Sequence, residues 1–150
     1  MKSTIPFPQE NLNFFSKQLL LDDREREAVD RHNSLFIARK EAFAQFFYDY
    51  FGNIDETKAI LEHATSAETM KNVWGHWFGS LFNERQEETF LHYMWRSGLR
   101  HVELHLDQRF VSLAYSIARQ YCHQIARAEV PHADVGLVLT AWTKSLISAS

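Results

Sequence analysis

The sequence predicts an all-α domain, and three observations predict it. Apolar residues recur at three- and four-residue spacing in one segment after another. No stretch alternates apolar and polar with the period of a strand. Breakers are scarce, with five Gly and three Pro in 150 residues. That length buries a real core in one domain, taken as 1–150. The apolar set is heavy in rings, with 12 Phe, 5 Tyr and 4 Trp. Rings in such number either fill a core or line a slot for a flat ligand.

Taken in order, residues 1–10, with Pro6 and Pro8, read as an irregular lead-in, followed by a short helix over Asn11–Leu21. Asp22 and Asp23 supply an N-cap and an acidic first turn for a second helix reaching about Asn33. A third, Ser34–Phe51, carries Leu35, Phe36, Phe43, Phe46, Phe47, Tyr50 and Phe51 on a broad stripe and stops at Gly52-Asn53. A short helix over Glu56–His63 follows. Either Ser66 with Thr69 or Thr65 with Glu68 marks the next start, the second pair fitting a capping box. The helix Ala67–Phe82 then places Met70, Val73, Trp74, Trp77, Phe78, Leu81 and Phe82 at helical spacing. Gly75 and Gly79 interrupt it at a cost of roughly 1 kcal/mol each against Ala. A close approach by another backbone or by a ligand would explain them. Glu84 to about Leu104 reads as another helix with Arg100-His101 near its end. Asp107–Ala128 repeats a core stripe through Phe110, Leu113, Ala114, Ile117 and Tyr121, and Pro131 breaks the chain. Asp134 precedes a last helix holding Val135, Val138, Ala141, Trp142 and Leu146. It reaches the chain end uncapped, as the N-terminal part of a longer signalling protein would.

Charge and composition narrow the partners. A formal charge of −3 with interspersed signs argues against nucleic acid. No 18-residue apolar run predicts a membrane span, and the N-terminus has no apolar run of signal-peptide length. The single cysteine, Cys122, excludes an internal disulfide and fits a cytoplasmic location.

The stretch Gly98-Leu99-Arg100-His101-Val102-Glu103-Leu104 through Tyr115 resembles the proximal region of globin-coupled sensors and protoglobins. There a histidine is followed by a hydrophobic residue three later, an aromatic near nine later and an Ala-aromatic pair near thirteen. Here these are His101, Leu104, Phe110 and Ala114-Tyr115. Phe46-Phe47-Tyr48 resembles the family's distal Phe-Tyr, 101 − 48 = 53 residues upstream, and Phe82 lies 101 − 82 = 19 before the histidine, both as in that family. The leader and Leu21-Asp22-Asp23 resemble its extra N-terminal helix. The likeness spans nearly the whole chain and rests on an ordered set rather than on one motif. Two departures bear on ligand preference. His105, Gln108 and Phe110-Val111 stand where the family often has Gly, Pro and Trp-Tyr, and Val73 stands where it often has a polar distal residue.

The resemblance implies a sensor-globin fold and a haem b held without covalent attachment, since no C-x-x-C-H is present. It makes His101 the iron ligand, imidazole being the neutral nitrogen donor that haem iron needs. His105, four residues on, would share its helix face one turn later; His92 would lie near the opposite face, and His32, His63, His123 and His132 read as surface residues. His76 rides the distal helix and is the candidate sixth ligand. Tyr48 would donate its phenol proton to bound oxygen. Tyr50, about 200° round the helix, cannot face the same point. Phe43, Phe47, Met70, Val73, Trp74, Trp77 and Phe110 are candidate pocket walls, with ordinary core packing as the alternative for each.

The function implied is a gas sensor for oxygen, carbon monoxide or nitric oxide. It would act as a homodimer through the last two helices, passing the signal to an output module; none fits in these 150 residues, so the chain reads as either a sensor fragment or a free-standing globin. Ala118, Tyr121, Cys122, Leu139 and Trp142 form a stripe there that is equally consistent with core. Two alternatives stay open: a free-standing globin enzyme with nitric oxide dioxygenase or peroxidase-like chemistry, and a globin-shaped interaction module without haem.

Overall fold

The structure, a computed structural model, describes residues 9–18, 21–83, 96–97, 99–102 and 104–149. Among them every regular element is an α-helix: α1 (Gln9–Gln18), α2 (Asp23–Ile37), α3 (Lys40–Gly52), α4 (Asp55–Ala64), α5 (Ala67–Asn83), α6 (Gln108–Glu129) and α7 (His132–Ala149). Residues 96–97 and 99–102 are also helical, and the rest of the helix expected over Glu84–Leu104 lies outside the described residues.

The starts follow side-chain chemistry. Asp22 caps α2 by accepting a 2.7 Å hydrogen bond from the Glu25 amide. Asp107 caps α6 the same way, from the Arg109 amide at 2.8 Å. Ser66, not Thr65, caps α5: its Oγ accepts from the Thr69 amide at 3.2 Å and donates to the Thr69 hydroxyl at 2.8 Å. The last helix begins three residues earlier than predicted, so Asp134 lies in its first turn.

One boundary departs from the sequence reading. The stripe from Ser34 to Phe51 is not one helix, because the chain turns at Ala38-Arg39 between α2 and α3. The Arg39 amide bonds back to the Phe36 carbonyl at 2.9 Å, a tight i to i−3 closure. No Gly or Pro marks the bend. It lets Phe36 and Phe43, both essentially inaccessible, enter the core from different directions.

α3 packs chiefly on α5, α2 on α7 and α5, and α6 on α7. Gly75 sits at the α3–α5 crossing, where a Cβ would meet the Lys40 carbonyl oxygen at 3.5 Å and Ala44 Cβ at 3.7 Å. The close backbone approach foreseen for this glycine is therefore with α3. The core is a ring stack: Phe43 lies 4.2 Å from Phe78 and Phe36 lies 4.8 Å from Phe82, both near parallel, with Trp142 behind them. A buried ion pair joins α2 to α7, Lys144 Nζ reaching both Glu25 oxygens at 2.8 Å. Asp134 binds Arg31 and His32 across the same two helices, and Arg39 pairs with Glu129 between the α2–α3 turn and the end of α6.

The stripe considered for a dimer interface is mostly core. Ala118, Cys122 and Trp142 are buried within the chain, Trp142 against Phe78 and Phe82, and Tyr121 and Leu139 are half-buried. No helix among the described residues is long and apolar enough to cross a membrane.

Candidate functional site

The α3–α5 pair positions the distal candidates. Phe47 is buried and its ring is met edge-on by Trp74 at 5.1 Å and stacked by Trp77 at 6.2 Å. One residue on, Tyr48 is half-buried, its ring 6.2 Å from Trp74. Tyr50 turns elsewhere, onto Phe46 and Phe51, as the 200° separation requires. Beside Tyr48 opens a groove of about 530 Å³, lined also by Asp49, Gly52, Asn53, Lys58, Leu61 and Glu62.

On α5, Met70, Val73, Trp74 and Trp77 fall within an arc of about 100° at 100° per residue. Val73 is 49% exposed and the other three are half-buried. Leu81 continues the same arc and is only 1% exposed. Protein thus covers the far end of this apolar stripe and leaves its first turns partly bare. Phe43, by contrast, is wholly buried core, and His76 is an exposed residue of α5.

His101 is in the helical segment 99–102 and is half-buried. That segment ends in a Schellman turn: the Leu106 amide donates to the His101 carbonyl at 3.1 Å, and the His105 amide to the Val102 carbonyl at 3.0 Å. His105 occupies the left-handed position of the turn, with φ 53°. It therefore does not continue the His101 face one turn later, as its spacing suggested, because a residue at positive φ ends the helix. His105 is exposed. His92 lies outside the described residues. His63 and His132 are exposed, and His32 and His123 half-buried.

Burial alone holds the His101 imidazole below its ordinary pKa of 6.5, so the ring is neutral at physiological pH. A neutral ring nitrogen is the form that ligates a metal. Phe110, in the first turn of α6, is half-buried with the Arg109 guanidinium 5.5 Å over its ring. Tyr115, one turn and a half further, is the aromatic of the Ala114-Tyr115 pair that carried the resemblance in sequence. Its ring meets Trp77 edge-on at 5.9 Å, and burial pushes its phenol up to about 12.

Phe47, Tyr48, Trp74, Trp77 and Tyr115 are therefore in one continuous ring cluster, with Met70 against the same core. Among the described residues no group of three or more His, Cys, Asp or Glu side chains could hold a bare metal ion. A neutral half-buried imidazole and a partly bare aromatic stripe fit a flat, apolar iron-carrying group better than a free cation.

The protoglobin family profile matches residues 9–148. The chain belongs to the protoglobin family. The globin domain of the Geobacter sulfurreducens globin-coupled sensor superposes with a TM-score of 0.81 at 25% identity, covering 97% of this chain and 94% of that one. No curated protein matches the chain. The fold is thus the all-helical globin fold expected from the sequence.

Proposed function

We propose that this protoglobin is a haem-based gas sensor domain, with His101 as the iron ligand and Tyr48 as the distal hydrogen-bond donor. What supports the reading is the half-buried His101 imidazole, which burial pushes below its ordinary pKa, in a protoglobin whose distal helices present Tyr48 beside a partly bare aromatic stripe. Its Geobacter sulfurreducens relative, a globin-coupled sensor, supports the sensing role.

Haem b would be held by His101 and, when bound, would supply an iron centre able to take a diatomic gas. This chain's residues do the rest. His101 offers a lone pair without first losing a proton. Trp74, Trp77, Met70, Val73, Phe47 and Phe110 make an apolar surround that keeps water from the site. Tyr48 donates its phenol proton to the partial negative charge of a bound ligand, which favours oxygen over carbon monoxide. A hydrogen bond to a charged acceptor contributes roughly 1.5–3 kcal/mol, about 10- to 150-fold in affinity. Signalling through the last two helices to an output domain, in a cytoplasmic homodimer, is the remainder of the reading.

Absorption spectroscopy tests it. The purified protein shows a Soret band that His101→Ala abolishes, and Tyr48→Phe accelerates oxygen dissociation at least tenfold. A protein that stays colourless when supplied with haem, or a Soret band untouched by His101→Ala, refutes the assignment.

A further inference from the structure

A solvent-facing chain of polar side chains links α3 and α5 beside the Tyr48 ring. Lys71 Nζ lies 5.7 Å from the centre of the Tyr48 ring. The same ammonium donates to Gln45 Oε1 at 3.1 Å, and Gln45 Nε2 donates in turn to Asp49 Oδ1 at 3.0 Å. Gln45 and Asp49 are one turn apart on α3 and flank Tyr48; Lys71 comes from α5. Trp74, one turn after Lys71 on α5, meets the same phenol ring at 6.2 Å. Tyr48 thus has two α5 neighbours of different chemistry, a cation and an indole.

A phenol donor is useful only while its ring keeps one orientation. A half-buried tyrosine with one aromatic neighbour has freedom to turn its hydroxyl toward the adjoining groove. A cation over the ring adds attraction through the ring quadrupole. Lys71 would wander on its four-carbon stem, but Gln45 holds its head, and Asp49 holds Gln45. Each member is satisfied by the next, so the relay fixes a flexible side chain where an isolated surface lysine would not be fixed.

The geometry points to Lys71 as a positioning residue for Tyr48, locked by Gln45 and Asp49, that sets how long the pocket retains a gas ligand. The inference rests on the proposed role of Tyr48. Lys71 touches neither haem nor gas in this scheme and acts only through the phenol.

The experiment is oxygen dissociation from the haem-loaded protein, in a cycle of Lys71→Met, Tyr48→Phe and the double variant. Lys71→Met speeds dissociation about two- to fivefold, the range of one partly exposed cation–π contact. Lys71→Arg, which keeps the cation, stays within about twofold of wild type. In the Tyr48→Phe background Lys71→Met has no effect, because no phenol is left to position. Gln45→Ala, which frees Lys71 while keeping its charge, gives a smaller acceleration and covers the case in which Lys71→Met folds poorly. Urea unfolding of haem-free protein supplies a second readout: Lys71→Met and Tyr48→Leu are coupled by about two- to fivefold in the unfolding constant. Equal acceleration by Lys71→Met with and without the phenol, or none in wild type, overturns the Lys71 role and leaves Tyr48 as donor. Wild-type dissociation in Tyr48→Phe overturns the donor assignment and the Lys71 role with it.

Discussion

Replacing His105 by glycine should stabilise this protein, although the substitution removes a whole side chain. His105 holds φ 53° at the position of a Schellman turn that glycine usually fills. An L-residue there places Cβ against the following carbonyl, a cost of roughly 1–2 kcal/mol. Glycine relieves it but loses about 0.5–1 kcal/mol through greater freedom in the unfolded chain. The imidazole is exposed, so little burial is lost. The balance is a gain of about 0.5–1 kcal/mol, or roughly 1–4 °C in Tm for a chain of this size. Thermal and urea unfolding followed at 222 nm, at equal haem occupancy, measure it. His105→Ala is the control, because it keeps Cβ and therefore the strain, and should gain nothing. If the glycine variant is no more stable than the alanine variant, the strain argument is wrong.

Three other outcomes follow from the packing and charge. Gly75→Ala should be neutral to stabilising by up to about 1 kcal/mol, since its Cβ finds ordinary contacts at 3.5 Å and 3.7 Å; Gly75→Leu should lose about 1–3 kcal/mol by forcing α3 from α5, and urea midpoints separate the two. Glu25→Ala leaves the Lys144 ammonium without its carboxylate and should cost about 2–3 kcal/mol, whereas Glu25→Leu with Lys144→Met recovers most of it in the same assay. His123 is held below 6.5 first by burial and then by the charges of Arg119 and Arg127. The unfolded chain therefore takes up that proton first as pH falls, and stability present above 6.5 is lost toward the lower folded value. His123→Gln should flatten that part of the stability profile between pH 7 and 5.

The start of α2 was legible because its capping side chain acts locally: Asp22 names its own position. Gly52-Asn53 ended α3 where expected. The bend at Ala38-Arg39 was not legible, because neither residue is a breaker and tertiary packing of Phe36 and Phe43 decides it. The same cause hid the turn after His101. A histidine in a glycine's place carries no turn signal, so spacing alone put His105 on the helix face. In the site, rings on α3 and α5 could be grouped by periodicity, yet periodicity cannot tell wall from core: only burial separates Phe43 and Phe47, both buried, from the half-buried Tyr48, Trp74 and Trp77. Tyr115 comes from α6, and its meeting with Trp77 is a tertiary fact that no local pattern records.

The α5 stripe also bears on where the proposed ligand would sit. Burying apolar area contributes roughly 25 cal/mol per Å², so a helix gains from full cover, as Leu81 and Phe82 have. Its first turns forgo that gain at Val73 and share it at Met70, Trp74 and Trp77. A flat apolar ligand placed there returns the burial as binding energy, and its stabilisation then depends on ligand concentration. Tyr48 stands at the edge of this surface beside the only cation over a ring on α3 or α5 among the described residues, Lys71. In the proposed reading, incomplete cover and the Tyr48 phenol would together make a pocket whose occupant is held by packing and discriminated by a single hydrogen bond.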